Sequence, residues 1–254
     1  MIIYMKEGKS YEDLYKGAHR GDTWTLPENS NLNPRLRAVE MVRSKFEGPV
    51  RILDIGCGKA INTKWIADNN DGSSWVGIDV ISKEKMGLRV ENDKNHRFIE
   101  GNIFSKDFRK TNNLEKEKFD IIVDQGTAFL EIDNPTDLDN YLKMTYNLLN
   151  NNGILIILSP IGKPQVVIFP DGRKRVFRSP EDFQKEPFNK YFGIEKDVQN
   201  NIFTYGGYSY LPDFDSKESS KNPMSTKVGD ELQLQIAQIP LRKKPVTRTS
   251  QLST

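Results

Sequence analysis

A glycine-containing segment and an acid that follows it are the residues of this chain best suited to binding chemistry. The segment is Asp54-Ile55-Gly56-Cys57-Gly58, and Asp79 ends the next apolar run. Glycine has no Cβ, so the backbone can turn sharply and a ligand can approach it closely. A helix that begins after such a turn presents free N–H groups to an anion, and an acid after the second strand can accept hydrogen bonds from ribose hydroxyls. These residues predict a nucleotide site.

The spacing of the glycines distinguishes two nucleotide cofactors. A dinucleotide-binding loop has the pattern G-x-G-x-x-G, but Ile61 stands at the third glycine position here. This favours S-adenosyl-L-methionine, whose methionine carboxylate would bind the loop. After the third apolar run, Asn102 could bond the adenine edge while Ile103 packs on the ring, although Asn102 could equally be a polar turn residue. The predicted cofactor residues from these segments are Asp54, Gly56, Cys57, Gly58, Asp79, Asn102 and Ile103.

Alternating apolar runs and helical patterns predict the elements that position these residues. Runs rich in Ile, Val and Leu are typical of strands that are covered on both faces. Strands that alternate with helices predict an α/β fold with a Rossmann-like parallel sheet. The predicted strands are Val50–Ile55, Trp75–Ile78, Arg97–Ile99, Phe119–Val123 and Gly153–Leu158. The predicted helices are Asn33–Phe46, Thr63–Asp68, Lys83–Asp93 and Thr136–Leu149.

The pattern changes after Leu158. Two short runs around the turn Pro170-Asp171-Gly172 predict a β-hairpin, Gln165–Phe169 with Arg173–Phe177, and a helix start follows at Ser179. Two more strands are predicted, at Gly193–Phe203 and Glu231–Leu241. We expect residues 1–30 to form an arm or lid, residues 31–241 one domain, and residues 242–254 a disordered basic tail. The hairpin's basic residues suit either an edge that discourages strand pairing or a cap for an acidic ligand or nucleic acid; they are Arg173, Lys174, Arg175 and Arg178.

Composition narrows the classes of protein that need to be considered. The formal net charge is +2, so no nucleic-acid or membrane partner is demanded. The single cysteine excludes an intrachain disulfide, and with two histidines no metal site is expected. The longest aliphatic run, Ile154–Leu158, is too short to span a bilayer, and the N-terminus does not resemble a signal peptide. We therefore expect a cytoplasmic protein, a monomer or weak dimer.

A more specific match begins in the glycine loop. The stretch Cys57–Asp68 resembles the thiopurine S-methyltransferase family, in which Cys-Gly-Lys-Ala and a later Lys-Trp-x-Ala-Asp occur in the same register. Lys118–Thr127 is similar to that family's fourth motif and Gly101–Phe104 to its third-strand motif. Trp24 stands where the family has a tryptophan beside the cofactor. The similarity covers roughly residues 20–185.

The resemblance implies a class I S-adenosylmethionine-dependent methyltransferase. Such a protein has a seven-stranded sheet with one antiparallel strand and methylates a small, often sulfur-containing acceptor. The resemblance further implies that Gly58, Asp79, Ile103 and Asp124 line the cofactor site and that Trp24 covers it. One departure is Gln125, which replaces the family's arginine and stabilises a thiolate less well, so the acceptor can differ.

The chemistry of the acceptor decides whether a base is needed. A thiol, with a pKa of about 8.5, hardly needs one, whereas a hydroxyl or an ammonium group does. Asp124 ends the fourth predicted strand, at the sheet edge where ligands bind, and could orient the cofactor or act on the acceptor. His19, in the arm, is the other catalytic candidate. We expect methyl transfer to a small-molecule thiol, with O- or N-methylation, nucleic-acid methylation and non-catalytic cofactor binding as alternatives.

Overall fold

The fold is described from a computed structural model of the chain. No helix in the described part of the chain is long and apolar enough to cross a membrane. The structure describes residues 39, 42–58, 67–68, 72–82, 84, 92–124, 129–160, 165–168, 174–178, 180–195, 202–206, 226–228 and 231–245.

Five parallel strands form the centre of the sheet and confirm the five predicted strands. They are β1 (Arg51–Ile55), β2 (Ser74–Asp79), β3 (His96–Glu100), β4 (Phe119–Asp124) and β5 (Leu149–Pro160). Their order is β5-β4-β1-β2-β3, and every neighbouring pair is parallel. Because parallel strands point the same way, their carboxyl ends share one edge, which brings Asp54, Asp79 and Asp124 to adjacent positions there.

A long strand continues the sheet beyond β5 and runs against it. Six further strands are β6 (Gln165–Ile168), β7 (Lys174–Phe177), β8 (Phe192–Ile194), β9 (Ile202–Gly206), β10 (Thr226–Val228) and β11 (Glu231–Lys243). β11 pairs antiparallel with β5 and also with β8, β9 and β10. The path β3-β2-β1-β4-β5-β11-β10 gives the expected seven-stranded, mostly parallel sheet. β6 and β7 form the predicted hairpin, whereas two strands, β8 and β9, occupy the range of the single predicted strand Gly193–Phe203.

The helices with defined bounds are α1 (Lys106–Thr111), α2 (Pro135–Leu148) and α3 (Phe188–Tyr191). The α2 helix begins with Asn134 as its N-cap and a proline at its first position, as expected for a stable helix start. The α1 helix was not predicted, because it buries none of its residues and so has no apolar periodicity. The predicted helix after Ser179 is a short 3₁₀ helix, Pro180–Gln184; the others are Leu114–Lys116 and Phe129–Glu131.

Alternate residues of the central strands pack into two apolar layers, one on each face of the sheet. On one face, α2 covers the sheet with Leu138 and Leu142. On the other face, the helical residues Val39 and Val42 pack against Trp75. Helices therefore lie on both faces, as the continuous apolar strands predicted. With both faces covered, the edge at the carboxyl ends of the strands remains for ligands.

Candidate cofactor and acceptor site

The turn after β1 is hydrogen-bonded to the end of β2. Gly56 and Gly58 have φ angles of +66° and +51°, in the left-handed region that glycine adopts at low cost. The backbone N–H groups of Gly56 and Cys57 both donate to the carbonyl oxygen of Ile78, at 2.8 and 3.2 Å. The glycines therefore let the chain fold back over β2 and place the loop at the sheet edge.

Asp79, the last residue of β2, forms a hydrogen bond to this loop. Its Oδ2 accepts a hydrogen bond from the N–H of Gly58 at 2.9 Å, and its Oδ1 accepts one from the N–H of Ile81 at 3.0 Å. A carboxylate oxygen has further acceptor capacity beyond one such bond, which suits two ribose hydroxyls. Among the described residues, a Cβ placed on Gly58 would meet no atom within 4 Å. The acceptor set at Asp79 fits an adenosyl group.

Cys57 is packed inside the loop and is not poised for nucleophilic attack. Burial raises the pKa of its thiol well above the usual value, and the Asp54 and Asp79 carboxylates raise it further. A Cβ on Gly77 would lie 2.9 Å from the Cys57 sulfur, which shows how closely the thiol packs on β2. The sulfur therefore serves as a packing group between the loop and the sheet.

The segment after β3 forms a compact turn. The Oδ1 of Asn102 accepts a hydrogen bond from the N–H of Phe104 at 2.9 Å, which leaves the amide N–H groups of Asn102 as donors for an adenine nitrogen. The Ile103 side chain is buried in the core beneath this turn. Arg109, on α1, donates from Nη1 to the carbonyl oxygen of Ile103 at 2.6 Å. Arg109 was not singled out in the sequence, because a contact across the turn and α1 leaves no periodic signal.

Asp124 is fully buried at the end of β4. Its Oδ2 accepts two hydrogen bonds at 2.9 Å, one from the N–H of Phe129 and one from the hydroxyl of Tyr141 on α2. Burial, followed by the charge of Asp124, raises the pKa of Tyr141 well above its usual value, so the phenol stays protonated and donates. Tyr141 has the helical spacing of a core residue, which gave no sign of this polar contact.

Arg178 packs inward. It donates from Nη2 to the carbonyl oxygen of Ile132 at 2.6 Å, and its guanidinium lies 4.8 Å from the centroid of the Phe129 ring. Burial lowers its pKa to about 10, so it remains charged at neutral pH. Neither suggested role for the basic hairpin, an exposed edge or a cap, describes this side chain.

The structure brings most of the predicted site residues to one edge. His96 begins β3, at the opposite edge of the sheet. The candidates Trp24 and His19, the substituted Gln125 and the tail after residue 245 lie outside the described residues. The residues at the carboxyl edge are Asp54, Gly56, Cys57, Gly58, Asp79, Asn102, Ile103 and Asp124.

The sheet order, the glycine turn and the acid at the end of β2 define a Rossmann-like domain of the kind that binds an adenosyl group. A family model described as "Methyltransferase domain" matches residues 47–205, which include β1 to β8. The chain belongs to this methyltransferase domain family, and its class is that of the class I S-adenosylmethionine-dependent methyltransferases.

Individual relatives are distant. The chain is 30% identical over 108 residues to a ubiquinone biosynthesis O-methyltransferase of Pelagibacter ubique, and this match covers 42% of the chain and 41% of the relative. The crystal structure of 1,6-didemethyltoxoflavin-N1-methyltransferase from Burkholderia thailandensis has a TM-score of 0.52 at 13% identity, with 95% of this chain and 94% of that one covered. The N-methyltransferase NodS from Bradyrhizobium japonicum has a TM-score of 0.53 at 13% identity, with 92% and 98% covered.

These comparisons support the class and the fold. They do not support the narrower resemblance to the thiopurine S-methyltransferases.

Proposed function

We propose that this chain transfers the methyl group of S-adenosylmethionine to a small-molecule acceptor at the carboxyl edge of β1, β2 and β4. The observation that carries the proposal is the contact between Asp79 and the N–H of Gly58, 2.9 Å long, which joins the glycine loop to the acid. This contact sets the loop and the ribose acceptor at a fixed separation. An adenosyl group with a methionine tail needs both of these groups at once.

The charges at this edge suit the cofactor. Asp79 and Asp124 are the last residues of β2 and β4, and Asp54 is the last but one of β1, which lies between them. S-adenosylmethionine carries a sulfonium and an ammonium cation. Opposite charges close together stabilise one another more strongly where water is excluded. In this proposal the loop binds the methionine end, Asp79 the ribose and Asn102 the adenine. The placement of Trp24 over the cofactor remains a prediction.

Positioning of the acceptor against the methyl group supplies much of the rate enhancement in methyl transfer. The bound cofactor provides an electrophilic methyl group on sulfur, and the protein must hold the acceptor in line with it. Such alignment contributes about 7–11 kcal/mol.

The candidate base Asp124 is buried and already accepts two hydrogen bonds, while His19 lies outside the described residues. Because a thiol needs little help from a base, thiols are the first acceptors to test. The relatives named above are O- and N-methyltransferases, so phenols and amines follow.

Calorimetry with S-adenosylmethionine and S-adenosylhomocysteine tests the cofactor site. An Asp79→Ala variant should lose at least about a hundredfold in affinity, since it removes two hydrogen bonds to a carboxylate, each worth about 1.5–3 kcal/mol. Asp93→Ala is the matched control, because Asp93 also accepts backbone hydrogen bonds, from Asn95 and His96, but at the opposite edge. An unchanged affinity in Asp79→Ala would show that the ribose site is misplaced.

A screen with methyl-labelled S-adenosylmethionine identifies the acceptor. We expect label to reach small thiols, phenols or amines, and thiols first if no base operates. Oligonucleotides belong in the same panel, at low and high salt, because electrostatic binding to phosphates weakens steeply with salt. Transfer to an oligonucleotide in preference to every small molecule would contradict the proposal. Inert thiols beside reactive phenols or amines would reject only the choice of sulfur.

A further inference from the structure

A buried carboxylate and a buried phenol connect β4 to α2. Asp124 is 0% exposed and Tyr141 is 1% exposed, and the Tyr141 hydroxyl donates to Oδ2 of Asp124 at 2.9 Å. The same oxygen accepts the N–H of Phe129 at 2.9 Å. A buried charge is costly unless it is paired or hydrogen-bonded, so both donors stabilise the ionised form of Asp124.

Arg178 binds the other end of the segment that begins at Phe129. It donates to the carbonyl oxygen of Ile132 at 2.6 Å, and its guanidinium stacks 4.8 Å from the Phe129 ring centroid. The 3₁₀ helix Phe129–Glu131 therefore has its first N–H bonded to β4, and the residue after it is bonded to Arg178. One end of this helix is fixed by Asp124, which stands just before it in the chain, and the other by Arg178, which comes from a distant part of the chain.

The Tyr141 ring also reaches the cofactor side of the site. Its centroid lies 5.8 Å from that of Phe104, in the turn after β3, and 5.9 Å from that of Phe129. Aromatic pairs at such distances contribute to packing beyond simple burial. One phenol thus contacts both the proposed adenine turn and the segment that follows β4.

We propose that Tyr141 and Arg178 are positioning residues, which hold the end of β4 and the 3₁₀ helix Phe129–Glu131 in the arrangement that methyl transfer requires. In this account Asp124 accepts the two donors and orients this side of the site, and it does not remove a proton from the acceptor. The inference rests on the proposed function for its catalytic meaning. The hydrogen-bonded arrangement itself can be tested without any turnover.

Hydrogen exchange on the full chain tests the arrangement. Tyr141→Phe removes only the hydroxyl and should raise the exchange rate of the Phe129 amide about tenfold, because the buried carboxylate that accepts this N–H loses the Tyr141 hydroxyl as a donor and the local structure around it opens more readily. Tyr146→Phe is the matched control on the same helix, since its hydroxyl donates to the carbonyl oxygen of Lys244, at 3.0 Å, and should leave that amide unchanged. Equal Phe129 exchange rates in Tyr141→Phe and the wild type would overturn the proposal.

Arg178→Gln provides the second perturbation. It should raise exchange in the peptide that contains Phe129 and Ile132. Arg242→Gln is its control, because Arg242 also donates to a backbone carbonyl, that of Asn152, away from the site. If Arg178→Gln left this peptide as protected as Arg242→Gln does, Arg178 would have no positioning role.

Kinetics separate positioning from simple stabilisation. With the first acceptor that the labelled screen identifies, Tyr141→Phe should lower kcat/KM about tenfold while the Kd for S-adenosylhomocysteine stays within about twofold. A lower melting temperature with unchanged kcat and KM would show a merely structural role and refute the proposal. If the wild type binds no S-adenosylhomocysteine, the proposed function fails. The hydrogen-exchange results then test only whether Tyr141 and Arg178 stabilise the hydrogen-bonded arrangement.

Discussion

Replacing Gly77 by alanine should damage both the core and the cofactor loop. Gly77 and Trp75 point to the same face of β2, and Trp75 is fully buried. An alanine Cβ at position 77 would lie 2.0 Å from Cζ2 and 2.3 Å from Cη2 of Trp75, and 2.9 Å from the sulfur of Cys57. The indole therefore occupies the space where a side chain at residue 77 would stand.

The magnitude follows from these distances. Carbon atoms in contact prefer about 3.5–4.0 Å, so the indole must move by roughly 1.5 Å in a close-packed layer. Overpacking of this kind costs about 1–3 kcal/mol, and the shortfall puts Gly77→Ala at the upper end, about 3 kcal/mol. Because Cys57 lies between Gly56 and Gly58, its displacement should also weaken the binding of S-adenosylmethionine, by about tenfold.

Urea unfolding measures the first effect and calorimetry the second. Gly193→Ala in β8 is the matched control, since among the described residues its Cβ would meet only Cε of Lys244, at 3.9 Å. That substitution should be neutral or stabilise by up to about 1 kcal/mol. If Gly77→Ala were as stable as Gly193→Ala, the packing of Trp75 against the loop would be wrong. A destabilised variant with unchanged cofactor affinity would refute the link between this packing and the loop.

Two further predictions concern ionisable groups. Hydrogen bonds from Arg242 and then Lys45 hold the pKa of Glu195 below its usual value, so its contribution to stability is present above about pH 4.3 and is lost as the pH falls through the lowered folded value. The free energy of unfolding should therefore decrease more between pH 7 and pH 3 in the wild type than in Glu195→Gln. An equal decrease in the two proteins would contradict this. The raised pKa of Cys57 keeps its thiol protonated, so iodoacetamide at pH 8.5 should alkylate the native chain at least about tenfold more slowly than the urea-unfolded chain. Mass spectrometry follows this single cysteine directly, and equal rates would show that the thiol is not protected.

Local sequence patterns were sufficient to locate the main elements of the fold. The continuous Ile, Val and Leu runs of β1, β4 and β5 and the turn signals around β6 and β7 predicted strands, and the structure confirms them. The periodicity of α2 likewise marked its position to within one residue. Elements without such patterns were missed or misjudged. The six-residue α1 helix buries no residue, and β8 and β9 were merged into one strand because β-propensity does not mark where pairing stops.

The amino-acid sequence by itself determined the class of this protein, because the glycine turn and the acid at the end of the next strand are neighbours within one β-turn-helix-β unit. Only the tertiary structure decided which groups these side chains contact. Asp124 accepts a hydrogen bond from Tyr141, 17 residues later, and the Arg178 guanidinium packs on the Phe129 ring of the same segment. Such contacts depend on the order of the strands and on how α2 packs against the sheet. Neither the strand order nor the packing of α2 leaves a periodic or compositional signal in the sequence, since many strand orders and many helix packings satisfy the same local pattern.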